Sequence, residues 1–280
     1  MDWPRVKTLL IVLLLTANLI LGGLYALRQW EEAKEQAVAW EAWQRAFEAM
    51  DVTLDDTLRS VVGVQLCALY LPRPEEEERA LARYFLGDVS FQDLGGHVSQ
   101  YESQAGTGRF RTGGSFDIRF NTAMPKQKKT PLEQAKADAA AAKLDAYPLT
   151  VCRETAQGGQ SEISCKQIVQ GYPVYNSSLS FFYGADGLQS VSGLFLLAPV
   201  SMQEPEPGLT AGSLLMQFAQ SWDGPLHVTD MEPGYVLTDD GPNLWKLQPV
   251  CRIVAEGRAI LLNADTGAVM VENLETMTFS

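Results

Sequence analysis

The chain has 280 residues, with 22 Lys and Arg against 34 Asp and Glu, for a formal net charge of −12. That acidic balance argues against nucleic acid as a partner and against docking on anionic lipid or anionic wall polymers. Hydrophobic residues make up 46 % of the chain, an ordinary share for a globular protein, so one large or two to three small units can bury cores.

The first element is also the most apolar. Seven mostly polar residues precede the uncharged run Thr8–Leu27. A helix rises about 1.5 Å per residue, so this run spans about 30 Å, the hydrocarbon thickness of a bilayer. The expectation is a single N-terminal transmembrane helix over 8–27. Arg5 and Lys7 lie before it, while Arg28 is followed by Glu31 and Glu32. The positive-inside bias then places residues 1–7 in the cytoplasm and the rest outside. Arg5 and Lys7 against Asp2 leave residues 1–27 at +1, so residues 28–280 carry −13. A cleaved signal peptide is the rival, but it needs a shorter apolar core and a small-x-small exit, and Leu24 stands at −3 of the best exit, Leu24-Tyr25-Ala26. Within the span, Asn18, Gly22 and Ala26 recur at i, i+4 and i+8 on one face. An amide in hydrocarbon seeks a partner and small residues permit close approach, so this face is the candidate helix–helix interface.

The opening Met1-Asp2-Trp3, then Arg5, Lys7-Thr8 and an apolar run containing Asn18, resembles the start of the YycI-type regulatory proteins of Gram-positive bacteria. Pro4 departs from that pattern, and the likeness covers about 20 residues. The resemblance implies a cell-membrane, single-pass accessory protein with an extracytoplasmic α+β domain. It implies that the protein modulates a sensor histidine kinase of the WalK type through membrane-helix contacts, alone or with a YycH-like homologue.

Residues 28–50 continue as a helix, without Pro or Gly. Trp30, Ala33, Ala37, Trp40 and Phe47 form a heptad-like, membrane-proximal stripe, with Gln44 as its polar break. Two readings remain open for it: a stalk whose aromatics pack on the body, or a face that pairs with a neighbouring helix. Leu58–Leu71 is strand or buried segment. Pro72-Arg73-Pro74 then opens a helix over Glu75–Leu86, with four acids in a solvated first turn and Gly87 at its end. Phe91–Gln104 and Thr107–Phe120 are expected as strands, with Ala105-Gly106 as the turn between them. The polar connection Asn121–Thr130 closes a first unit, 51–121.

Thr130 and Pro131 cap a helix over 131–144. Strands over 149–155 and 161–169 flank a two-residue turn at Gly158-Gly159, and a meander runs to Leu197. This is a second unit, 130–202. Thr210 caps a helix over 211–222, followed by short strands at 226–231, 235–238, 244–254, 259–263 and 268–272, a third unit, 209–280. Each unit is a helix followed by strands, and a helix can cover one face of its own antiparallel sheet. The second and third share an Asp-bearing Gly turn, at Asp186-Gly187 and Asp265-Thr266-Gly267, and 74–120 reads as a degraded copy. The units resemble PepSY-type modules, so the expected fold class is α+β, an anchor followed by repeated helix-plus-sheet units.

Four cysteines, Cys67, Cys152, Cys165 and Cys251, lie beyond the span. Pairing Gln157 with Gln160 sets Cys152 opposite Cys165 at a non-hydrogen-bonded position, where Cα atoms come within disulfide range. A Cys152–Cys165 bridge is expected; Cys67–Cys251 is open, as is the alternative of four reduced thiols.

No catalytic set is evident. His97 and His227 have no second ligand at metal spacing, and no C-x-x-C or G-x-S-x-G occurs. Asp265-Thr266-Gly267 matches an aspartic-protease loop superficially, but that chemistry needs a second carboxylate sharing a proton, and a turn is the reading. Asp239-Asp240-Gly241 is likewise a turn, with a weak Ca²⁺ site as the alternative. The expectation is a regulator without cofactor or metal, not an enzyme. A PepSY-like module that binds or inhibits an envelope protease, or holds a wall fragment, is the alternative, with the anchor a mere tether. An envelope hydrolase is disfavoured by the missing nucleophile–base pair.

Overall fold

A computed structural model describes Leu14, Asn18, Leu21, Gly22 and Tyr25, and residues 38–125, 130–144, 149–197, 207–241 and 244–272, with the backbone alone at 149–152 and 272. The expected span at 8–27 lies mostly outside these residues. The five described N-terminal positions are helical and exposed. Among the described residues no helix is long and apolar enough to cross a membrane.

Helix α1 occupies 38–48. Strand β1 (Val52–Leu54), a 3-10 turn at Asp56–Ser60, β2 (Gln65–Cys67) and β3 (Leu69–Pro72) follow. Helix α2 (Glu75–Leu86) begins after Pro74, as its proline and acids predict. Its first turn is not wholly solvated. Glu78 is buried and bonded by Arg73 through Nε and Nη2 at 2.8 and 2.9 Å. The same guanidinium donates to the carbonyls of His97 and Phe110 and to Ser99 Oγ, tying the helix start to the strands beneath it.

The two strands expected over 91–120 are four: β4 (Ser90–Asp93), β5 (Ser99–Glu102), β6 (Gly106–Phe110) and β7 (Ser115–Pro125). Gly95, Gly96 and His97 all take positive φ, and Asp93 Oδ1 accepts from Gly95 N, so the chain reverses inside the expected first strand. Gly113 and Gly114 reverse it again inside the second.

Thr130 and Glu133 close a capping box at α3 (Pro131–Ala141). Strands β8 (Leu149–Gln157) and β9 (Gln160–Val169) pair with Gln157 opposite Gln160, the expected hairpin register. That register holds to Arg153 and slips by one before Thr150, so a bulge falls at 151–152. Then come β10 (Tyr172–Pro173), β11 (Ser178–Tyr183), β12 (Gly187–Leu194), β13 (Pro207–Thr210) and α4 (Ala211–Gln220). Strands β14 (Leu226–Asp239), β15 (Leu244–Ala255), β16 (Arg258–Asn263) and β17 (Val269–Glu272) complete the described chain. The two short strands expected at 226–238 are one. Pro233 does not break it: Tyr235 and Leu237, of the same parity, turn their backbone bonds to residues 175 and 176, away from β15, so the missing N–H costs no ladder bond with β15.

Three times a helix is followed by a four-stranded antiparallel meander: α2 by β4–β7, α3 by β8, β9, β11 and β12, and α4 by β14–β17. The division into sheets departs from the sequence boundaries. The last strands of the first two meanders, β7 and β12, pair with each other, fusing both into one nine-stranded sheet. Strands β1 and β3, assigned to the unit 51–121, instead join the third meander. Strand β1 runs parallel to β14, and β3 pairs with the start of β15. Such non-local pairings leave no local periodicity to read.

Each sheet buries its own core. Leu81, Phe85, Tyr101, Phe110, Ile163 and Phe181 fill the space between α2, α3 and the large sheet. Phe47, Leu214, Leu215, Phe218, Ile253 and Leu262 fill that between α1, α4 and the small one. A third cluster, with Leu71, Val174, Tyr235, Leu237 and Trp245, lies where the sheets meet. There Val174 bridges to Tyr235, and the Asn176 amide bonds both N and O of Leu237 at 2.8 Å, acting as one more strand residue.

Candidate ligand cleft beside Lys246 and Asp265

Strand β15 alternates. Trp245 and Leu247 face the core between the sheets, so Lys246 and Gln248 face the other way. The register of β3 puts Tyr70 directly opposite Lys246, and the ammonium lies 5.5 Å from the Tyr70 ring centroid. The turn after β16 brings Asp265 to the same place. Asn263 Oδ1 accepts from the backbone N–H groups of Asp265 and Thr266 at 2.8 and 3.2 Å, which fixes the turn. Asp265 Oδ2 then accepts from Lys246 Nζ at 3.1 Å and from Gln248 Nε2 at 2.8 Å.

Tyr70, Lys246 and Asp265 line a cleft of about 490 Å³ together with Ala68, Pro207, Gly208 and Leu209. The volume falls within the roughly 300–1,000 Å³ of small-molecule sites. The wall is tight at Gly208, where a Cβ would lie 3.0 Å from the Leu66 carbonyl oxygen and 3.1 Å from that of Ala264. Burial works against the Lys246 ammonium, yet the hydrogen bond and charge of Asp265, with the contribution of Tyr70, outweigh it and raise its pKa above the ordinary lysine value. Lys246 is therefore a cation at neutral pH and Asp265 its counter-ion.

The same sheet face carries a second polar group. Arg252 donates to Asp230 at 2.6 Å and to Glu232 at 3.2 Å, and Tyr175 Oη donates to the Glu232 carbonyl at 2.7 Å. Burial, then the Glu232 carboxylate, push the Tyr175 phenol far up. The Tyr175 ring covers Gly234, where a Cβ would sit 2.6 Å from it. This group pins the segment after β10 to β14.

The cleft wall leads into the grip on α1. Thr210 Oγ1 caps α4 by accepting from Ser213 N. The next two N–H groups, of Ala211 and Gly212, donate to the carbonyls of Val64 and Val62 at 2.9 and 2.8 Å. Gly212 packs where a Cβ would meet Val62 and Trp43. Trp43 in turn stacks on Phe47 at 5.7 Å between ring centroids.

The residues singled out from sequence divide accordingly. Asn18 and Gly22 are helical and exposed; Ala26 lies outside the described residues, as do Trp30, Ala33 and Ala37. Trp40 and Phe47 are buried in the core with α4, so neither is open to a neighbouring helix. Cys165 is disulfide-bonded, while the Cys152 side chain lies outside the described residues. Cys67 and Cys251 are free thiols, which closes the option of a bridge between them. Among the described residues no three His, Cys, Asp or Glu side chains gather as a metal site. His227 accepts from or donates to Thr53 Oγ1 at 2.9 Å. Sequence reading missed the cleft because Tyr70, Lys246 and Asp265 come from separated segments. The one available signal was the polar alternation at Lys246 and Gln248 within an apolar strand.

No family model and no curated protein matches the chain. Solved structures do. An uncharacterised protein from Eubacterium rectale ATCC 33656 aligns over 74 % of this chain and 86 % of its own, at 10 % identity and a TM-score of 0.42. The Bacillus megaterium YpeB C-terminal domain aligns over 72 % of this chain and 97 % of its own, at 11 % identity and a TM-score of 0.35.

Proposed function

We propose that the chain is a membrane-anchored accessory regulator that modulates a sensor histidine kinase of the WalK type, through contacts of its spanning helix and its extracytoplasmic body, without chemistry of its own. A YycH-like homologue is the proposed second partner. The observation that carries this reading is the burial of Trp40 and Phe47 against α4. Helix α1, the first continuous helix described after the expected span, is held in the folded body by its contacts with α4. Asn18 and Gly22, exposed on a helix, support a lateral contact.

The test is an anchor swap in the full chain. Residues 8–27 are replaced by an unrelated span without the Asn18, Gly22 and Ala26 face, and kinase output and co-purification are measured. Both are expected to fall. Unchanged output and unchanged co-purification refute the proposal. They favour the second reading, a PepSY-like binding or inhibitory module for which the anchor is only a tether; the cleft at Lys246 and Asp265 supports that reading too.

A further inference from the structure

We infer that the Lys246–Asp265 cleft is a binding site for a neutral saccharide. The inference rests on the cleft alone and stands whether or not the protein touches a kinase.

Charge sets the ligand class first. Lys246 and Asp265 lie 3.1 Å apart and are the two charged groups among the described residues of the lining. A ligand ion placed between them meets attraction and repulsion at nearly equal distances, so neither an anion nor a cation gains from the pair. The chain's −12 charge adds a further penalty for anions. A neutral ligand meets no such penalty.

Hydrogen-bonding capacity sets it next. The bonds from Lys246 and Gln248 both end on Asp265 Oδ2, and Asp265 lines the cleft, so its carboxylate keeps acceptor capacity in Oδ1. Lys246 has three N–H donors; Asp265 takes one while the ammonium lies over the Tyr70 ring, so donor capacity is left for a ligand. A fixed acceptor beside a fixed donor matches vicinal hydroxyls, each of which both donates and accepts. One hydroxyl donates to Asp265 Oδ1 while its neighbour accepts from Lys246 Nζ. The acceptor and donor are held in place beforehand, Asp265 by Gln248 and by the Asn263 turn, so little ordering is needed on binding. Ala68 and Leu209 line the wall and suit the C–H face of a pyranose ring. The lining is mainly polar, which is poor for burying an apolar side chain and disfavours a peptide.

The test uses the full chain in a polyoxyethylene detergent, because maltoside and glucoside headgroups are themselves saccharides. Maltose and N,N′-diacetylchitobiose are titrated calorimetrically, beside inorganic phosphate and alanyl-alanine. At least one of the two saccharides is expected to bind saturably, with an affinity that does not change with ionic strength. Lys246→Met and Asp265→Asn are each expected to weaken it about tenfold, the loss of one hydrogen bond to a charged group. Melting curves of the same samples establish that the variants are folded. Should a variant fail to fold, Lys246→Gln, which keeps much of the side-chain length but loses the charge, serves in its place and is likewise expected to weaken binding about tenfold. Absence of saccharide binding up to the millimolar range, binding of phosphate or of the dipeptide in its place, or saccharide binding untouched by the substitutions each overturns the assignment.

Discussion

Gly212→Ala tests the grip on α1 directly. An added Cβ would lie 2.5 Å from Val62 Cγ1 and 3.0 and 3.1 Å from two ring atoms of Trp43. Carbon atoms pack best at about 3.5–4.0 Å, so the methyl overlaps both neighbours. Val62 has no room to retreat, and the half-buried Trp43 can yield only by moving with α1. Val62 is 1 % exposed, and Trp43 backs onto Phe47, which is fully buried. Overpacking of this kind costs about 1–3 kcal/mol, against a gain of up to ~1 kcal/mol from replacing Gly with Ala in a helix. The net is a loss of about 1–2 kcal/mol. For a body of this size it lowers the melting temperature by about 2–8 °C. The strain is relieved most cheaply by moving α1, which has one buried face, rather than the sheet, which has two neighbours at most positions. Hydrogen exchange should therefore rise at 38–48 while β14 and β15 keep their protection. A Gly212→Ala variant that melts at or above the wild-type temperature, with α1 protection unchanged, refutes the tight packing of α1 against α4.

Three further outcomes are expected. Arg73→Met strands Glu78, whose side chain is 1 % exposed, and should destabilise by about 3–5 kcal/mol in denaturant titrations, with Arg73→Met/Glu78→Leu recovering most of the loss. At pH 8 a thiol reagent should titrate Cys67 in the native protein and spare Cys251, whose thiol burial pushes up to about 12; unfolding without reductant should reveal both, and peptide mapping should place Cys165 in the proposed bridge with Cys152. Burial, helped by Glu232 and Asp138, raises the Tyr175 and Tyr183 phenols, and burial raises Tyr235 to about 12. Groups raised in the folded state contribute stability that is whole below their unfolded value near ~10 and is lost as pH climbs through the folded one, so denaturant midpoints should fall above pH ~10, with no tyrosinate absorbance before the fall.

What could be read from the sequence was local. Thr130-Pro131, Thr210 and Pro74 with its acids marked three helix starts because caps act within one turn. Gly158-Gly159 set a hairpin register that holds over five residue pairs because a two-residue turn leaves no slack. Asp93-Leu94-Gly95-Gly96-His97 carries equally strong turn chemistry, and the reversal there divides the expected strand 91–104 into two. The pairings β7 with β12, β1 with β14 and β3 with β15 join segments whose side-chain alternation is the same whichever partner they take. The cleft follows from the last of these: only once β3 is seated on β15 does Tyr70 face Lys246. The membrane-proximal stripe shows the complementary limit. Its spacing reported one apolar face correctly at Trp40 and Phe47, but periodicity does not say whether the surface that covers a face belongs to the same chain.

The cleft and the grip on α1 are close enough for one to bias the other. From the wall residue Gly208 to Gly212, which meets Trp43, is four residues along the chain. Every link between is fixed: Leu209 N donates to the Ala264 carbonyl at 2.7 Å, Thr210 caps α4, and Ala211 and Gly212 hang from the carbonyls of Val64 and Val62. Close-packed contacts of this kind do not deform continuously, so a wall displaced by an occupant either leaves α4 where it is or moves it with Val62 and Trp43. Short distance alone does not make a coupling; the ligand must bind one arrangement of the wall better than another. A tenfold preference corresponds to about 1.4 kcal/mol, comparable with the strain expected from a single methyl at residue 212. Gly212→Ala should therefore change the affinity of the cleft as well as the protection of α1, and linkage requires a cleft ligand to change that protection in return. If the substitution loosens α1 and leaves binding in the cleft untouched, the two are independent, and any influence of a ligand on the anchor must take another route.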